Sequence, residues 1–115
     1  MIDLTVRLRE DPDAVEHVFR LVADGGRVQP STTLPDPYAA LAAVEKYGES
    51  IFFPKPGPPR LCTQQYGGPQ VAVVTGAFHG RSVDSMFSRT DGCEISRWNA
   101  MAPLLGGAGG ASGAT

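Results

Sequence analysis

Polar and apolar residues alternate without a break from Ile2 to Leu8. Ile2, Leu4, Val6 and Leu8 fall on one side, and Asp3, Thr5 and Arg7 on the other. A period of two marks a half-buried strand. Asp11-Pro12-Asp13 then signals a turn. From Ala14 to Val22 helix propensity is fair, yet His17, Phe19 and Leu21 alternate with Val18, Arg20 and Val22. The alternation favours a second strand, ended by Asp24-Gly25-Gly26, and Gly25 to Pro35 reads as irregular. Asp36-Pro37 supplies an N-cap and a first-turn proline for a helix from Tyr38 to Tyr47, with Gly48 as its C-cap. Val71–Val74 and Arg81–Ser88 flank Thr75 to Gly80 as a hairpin with His79-Gly80 in its turn. Cys93 to Trp98 reads as a last short strand. The pattern predicts one α+β domain, an antiparallel sheet of about five strands with the main helix packed on one face.

Composition fits that domain. The chain has 115 residues, 42% hydrophobic and 19% charged, with a net charge of −2. The basic residues are scattered, which argues against a nucleic-acid or anionic-membrane surface, and no apolar run approaches the length of a spanning helix. The 14 Gly and 10 Pro imply many fixed turns. Prolines at 54, 56, 58 and 59 predict a stiff, extended connector. Residues 1–104 are expected to form the domain. Residues 105–115, only Gly, Ala, Ser and Thr from Gly106 onward, are expected to be a flexible tail. Met1-Ile2-Asp3-Leu4 has none of the features of a signal peptide. That leaves an intracellular protein, or a mature N-terminus with Met added.

Catalytic patterns are missing: no G-x-S-x-G elbow, no Walker A loop, no G-x-G-x-x-G after a strand. His17 and His79 have no obvious nucleophile or orienting carboxylate and read as solvated or hydrogen-bonded, and Asp11/Asp13 and Glu45/Glu49 read as exposed faces. Cys62 and Cys93 are either one staple or two reduced thiols. With the two histidines they have no metal-ligand spacing. The expectation is a protein that is not an enzyme, carries no cofactor or metal, and acts by presenting a surface.

The segment that could be presented starts at Cys62. Thr63-Gln64-Gln65-Tyr66 is exposed by composition, and Gly67-Gly68-Pro69 turns the chain back into a strand. If Cys62 and Cys93 were joined, closing that loop would stabilise the fold by about 3–4 kcal/mol in the chain-entropy model and would fix the tetrapeptide at its start. A rigid extended segment suits a proteinase inhibitor. It enters a protease cleft as substrate does, loses little entropy, and keeps its ends together after cleavage so that religation competes with release.

Cys62-Thr63-Gln64-Gln65-Tyr66, with Pro69 and Val71 after it, resembles the reactive-site segment of the subtilisin-inhibitor-like serine proteinase inhibitors of actinomycetes. Gly76-x-Phe78-x-Gly80-x-x-Val83 is similar to that family's Gly-x-Trp-x-Gly-x-x-Val, and Val83 keeps the family spacing to Cys93-Glu94. Gly25-Gly26 before Pro30, the Ala39–Ala43 helix and Leu4-Thr5-Val6 fit in order upstream. The resemblance implies an extracellular homodimer, formed sheet against sheet and compatible with the Ile2-Leu4-Val6-Leu8 face, and a Cys62–Cys93 disulfide. It further implies a reactive bond between Gln64 and Gln65, with Cys62, Thr63 and Tyr66 as flanking contacts, and subtilisin-type proteases as partners. The family's second disulfide has no counterpart, its positions falling on Leu21 or Val22 and on Tyr38. One residue is inserted at Gly67-Gly68. The Asn that braces the family's loop falls on Asp91, which accepts hydrogen bonds and, when ionised, cannot donate them. Two other functions fit the same residues: a binding module without inhibition, and a glutamine donor for a transglutaminase through Gln64-Gln65.

Overall fold

Strand β1 (Ile2–Arg9) runs down the middle of the sheet, and its alternation decides the layering. Ile2, Leu4, Val6 and Leu8 point to one face and are 0–2% exposed, while Asp3, Thr5, Arg7 and Arg9 face the other way. Around β1 the order is β3-β2-β1-β4-β5, antiparallel throughout, from β2 (His17–Asp24), β3 (Arg27–Val28), β4 (Val71–Phe78) and β5 (Arg81–Phe87). Two helices, α1 (Pro37–Phe52) and α2 (Gly92–Ala100), complete the α+β fold. The structure is a computed structural model and describes residues 1–55, 57 and 61–105. The expected proline connector at 56, 58 and 59, and the tail from 106, lie outside the described residues.

Register explains the core. Val6 sits between Phe19 and Val74, and Leu4 between Leu21 and Gly76, so one continuous apolar row crosses the sheet. Ala40, Leu41, Val44 and Phe52 of α1, with Trp98 of α2, Met101, Leu104 and Leu105, complete the same cluster. Leu105 is fully buried, so packing continues one residue beyond the expected boundary at 104. The Ile2-Leu4-Val6-Leu8 face is therefore the interior and cannot serve a sheet-to-sheet dimer. The free face carries Asp3, Thr5, Arg7 and Arg20. Arg20 forks onto Asp3 at 2.9 and 3.2 Å, and that hydrogen bond, reinforced by charge attraction, holds the guanidinium above its ordinary pKa.

The strands expected at Ile2–Leu8, within Ala14–Val22 and in the hairpin are all present, the second of them starting only at His17. The turn between β4 and β5 is His79-Gly80 alone, both with positive φ (51° and 83°), as a two-residue hairpin requires. The fifth strand is not Cys93–Trp98. It is Arg27–Val28, joined to β2 through Gly25-Gly26, whose positive φ values (58° and 86°) form another two-residue turn inside the stretch expected to be irregular. Cys93–Trp98 belongs to α2. Asp91 caps it by accepting from the Glu94 N–H at 2.9 Å, and Glu94 pairs with Arg97 one turn on. Trp98 turns into the core, and Ile95, one turn before it, is half-buried beneath Gly67.

The α1 cap is as expected, with Asp36 accepting from the Ala39 N–H and Pro37 opening the helix. Gly48 is not its end. It is buried inside α1, where an added Cβ would stand 3.2 Å from the Phe78 ring, so the missing side chain lets helix and sheet approach. At the positions that the sequence resemblance aligns with a second disulfide, Leu21 and Val22 are core and Tyr38 is 65% exposed. The chain leading to α1 is instead tied to β2 by threonines. Thr32 accepts from the Val22 N–H and donates to the Val22 carbonyl, and Thr33 accepts from the Arg20 N–H.

Candidate functional site

The stretch from Leu61 to Gly67 crosses the surface without secondary structure, and each of its residues is exposed. Leu61 is fully exposed and Tyr66 is 71% exposed, so this short segment shows two large apolar side chains to solvent beside Gln64 and Gln65. Such a segment has no burial to hold it. It is held by α2 and by the connector that leads into α2.

Its entry is fixed by the Cys62–Cys93 disulfide, with Cα atoms 5.2 Å apart. The Gly92 N–H donates to the Thr63 carbonyl at 2.9 Å, and an added Cβ on Gly92 would run into the Thr63 hydroxyl. Gly92 and Cys93 are the first two residues of α2, so its first turn grips the loop by one covalent bond and one backbone hydrogen bond.

Between the grips the chain turns tightly. The Gln65 N–H donates to the Thr63 carbonyl at 3.0 Å, closing a three-residue turn around Gln64. The Thr63 hydroxyl donates to the Gln65 side-chain oxygen at 3.1 Å. Thr63 is thus the hub of the loop, and its carbonyl accepts twice.

The exit is fixed at Gly67. Its N–H donates to the Arg89 carbonyl at 2.6 Å, and its carbonyl accepts from Arg89 Nε at 3.1 Å. A Cβ on Gly67 would lie 2.9 Å from the Ile95 side chain, so the glycine seats directly on α2. Gly68, with φ 133°, then turns the chain toward β4.

Of the residues expected at the site, Cys62, Thr63, Gln64, Gln65, Tyr66, Cys93 and Asp91 all lie on this loop or its support. Asp91 serves in a different way from the direct brace expected of it. Its carboxylate is spent on the α2 cap, and it supports the loop by fixing the helix turn that carries Gly92 and Cys93. Leu61, Arg89 and Gly92 were missed. A glycine between an N-cap aspartate and a cysteine was the available signal for Gly92, and Asp91-x-x-Glu94 was the signal for the helix itself. Nothing in the sequence singled out Arg89.

Among the described residues, one group has metal-ligand side chains within 4.8 Å of one another: Cys62, Asp91 and Cys93. The two sulfurs are bonded to each other, so the group offers no thiolates and one capping carboxylate. His79 is taken up elsewhere, with Nε2 3.0 Å from Glu45 on α1, and Arg81 joins Glu49 beside it at 2.8 Å. No described helix is long and apolar enough to cross a membrane. Comparison with family models, curated proteins and solved structures finds no match for this chain.

Proposed function

We propose that the protein is a serine proteinase inhibitor of the subtilisin-inhibitor-like kind, acting through a reactive bond between Gln64 and Gln65. The observation that carries this reading is the grip on both ends of an exposed loop: Cys62 and Thr63 on Cys93 and Gly92, and Gly67 on Arg89. A loop ordered before it meets a protease loses little entropy on binding. The position of the bond within this loop comes from the sequence resemblance. Gln64 enters the primary specificity pocket, and Leu61, Thr63 and Tyr66 make the flanking contacts. Leu61 and Tyr66 are apolar and already exposed, so the protease supplies their burial.

An uncharged glutamine offers no cation to the carboxylate of a trypsin-type pocket, whereas a broad, largely apolar subtilisin-type pocket accepts it. The test is an inhibition panel. Subtilisin-type enzymes are inhibited and trypsin is spared, and Gln64→Lys gains trypsin inhibition by a hundredfold or more, roughly the scale of one buried charge pair. Inhibition of no protease leaves a binding module on the same scaffold. Cleavage by subtilisin at another bond moves the reactive site.

The disulfide suits an oxidising, extracellular compartment. A homodimer would use the free sheet face, where Val18, Arg7, Val73 and Met86 lie in one row and Val18 and Met86 are 51% and 64% exposed. Light scattering on the eluting protein decides this, and a monomer mass overturns it. The glutamine-donor reading has the exposure of both side chains in its favour, and amine incorporation by a transglutaminase tests it.

A further inference from the structure

Arg89 makes more contacts around the loop than an exposed connector needs. It is half-buried, and its backbone and side chain together hold both polar groups of Gly67. Its other guanidinium arm donates to the Asn99 side chain at 3.3 Å, and the guanidinium lies 5.8 Å from the Trp98 ring centre. Asn99 and Trp98 stand at the far end of α2, opposite the turn that grips Cys62 and Thr63. One helix therefore holds the two sides of the Gln64–Gln65 bond from its two ends. The entry side is covalent. The exit side depends on two hydrogen bonds with Arg89, one accepted by its backbone carbonyl and one donated by its Nε.

We infer that Arg89 is the positioning residue that keeps the newly formed end in place after cleavage, and so sets the balance between the cut and intact inhibitor. This rests on the inhibitor reading. When water adds across the Gln64–Gln65 bond, Gln64 ends in a carboxylate and Gln65 in an ammonium group. Religation re-forms the bond and expels the water. The Gln64 end cannot leave, because Cys62 two residues before it is bonded to Cys93. The Gln65 end is held two residues on, at Gly67, and its nitrogen starts 3.0 Å from the Thr63 carbonyl. In religation the Gln64 carboxylate is first joined to the protease's serine as an ester, with loss of water, and the Gln65 ammonium gives up a proton. With Arg89 in place the resulting amine stays beside the acyl group it attacks, and the serine leaves. Without the Arg89 side chain, Gly67 keeps only the bond from its N–H to the residue-89 carbonyl, so the Gln65–Gly68 segment loosens and the cut form gains entropy.

The experiment incubates the protein with catalytic amounts of subtilisin at mildly acidic pH, approached from both the intact and the cut protein, and reads the equilibrium ratio of cut to intact chains. Arg89→Ala raises that ratio about tenfold, the scale of one charge-assisted hydrogen bond, and slows religation. Arg89→Lys, which keeps the charge and loses the fork, falls between. Amide hydrogen exchange at Gly67 is read on the same proteins and quickens severalfold in Arg89→Ala, since the N–H keeps its bond to the residue-89 carbonyl but the segment loses the side-chain bond to the Gly67 carbonyl that steadies it. An unchanged ratio in Arg89→Ala, while the unaltered protein still inhibits, overturns the inference. So does Arg89→Lys matching Arg89→Ala in ratio and exchange. If the unaltered protein inhibits nothing, the functional reading falls and the religation role with it. Exchange at Gly67 then shows separately whether Arg89 still clamps the loop.

Discussion

The β1-centred core and the Leu61–Gly67 loop lie in one small domain and are held by opposite means. In the core, Leu4, Val6, Val74, Val44, Phe87 and Trp98 are fully buried. Their stabilisation comes from area removed from water, which is non-directional and shared among many neighbours. In the loop every residue from Leu61 to Gly67 is exposed, and order comes from one disulfide and a few hydrogen bonds of fixed direction. Burial spreads the effect of a change over the domain, and directional bonds confine it. A core substitution should therefore lower stability and leave the affinity of the folded molecules alone. A loop substitution should do the reverse.

The disulfide is where that separation is hardest to keep, and the contrast with a core residue sharpens it. Phe87→Ala removes a fully buried ring that packs edge-on against Phe52 and lies under Arg97. It should cost about 3–5 kcal/mol, read as a shift in the urea midpoint, with the proposed inhibition by the folded fraction unchanged. Replacing Cys62 and Cys93 together by Ser should cost nearly as much, about 3–4 kcal/mol, because the unfolded chain is no longer cross-linked. Unlike Phe87→Ala, it should also abolish tight inhibition at temperatures where the sheet is still folded. If the Phe87 variant loses affinity in parallel with the serine pair, core and loop are one cooperative unit and the division fails.

How much of this was legible in the sequence follows the same division. The β1 period, the α1 cap at Asp36 and the His79-Gly80 turn are local signals, and each appears as written. Gly48 was misplaced because a helix interior tolerates glycine where a neighbouring ring needs the space, and Phe78 is remote in sequence. The α2 segment was read as a short strand although Asp91-x-x-Glu94, which opens it, is a helix-start signal. The Ile2–Leu8 stripe was legible as apolar, but its covering by α1 and Leu104–Leu105 is a tertiary fact. At the site, resemblance supplied the cysteine pair and the order of the loop residues. The grip by Gly92 and Arg89 joins backbone groups across more than twenty positions, and no spacing rule encodes that.

Asp91 gives the finest test, since it is the residue on which the expected and observed supports differ most. If a side chain had to donate to the loop, Asp91→Asn would add the missing donor and tighten inhibition. In the structure the carboxylate accepts from the Glu94 N–H, and Asn accepts that bond about as well at an N-cap. Asp91→Asn should therefore leave inhibition within about twofold and change stability by less than about 1 kcal/mol, the small loss being the favourable charge at the helix start. Asp91→Ala leaves the cap empty and should cost about 1 kcal/mol. It should also weaken inhibition several-fold, because Gly92 and Cys93 then belong to a fraying turn. Thermal melts and inhibition constants on the two variants give the comparison. Tightening in Asp91→Asn would mean that a direct donor to the loop matters after all. Unchanged inhibition in Asp91→Ala would mean that the disulfide alone fixes the entry, with the helix start contributing nothing to it.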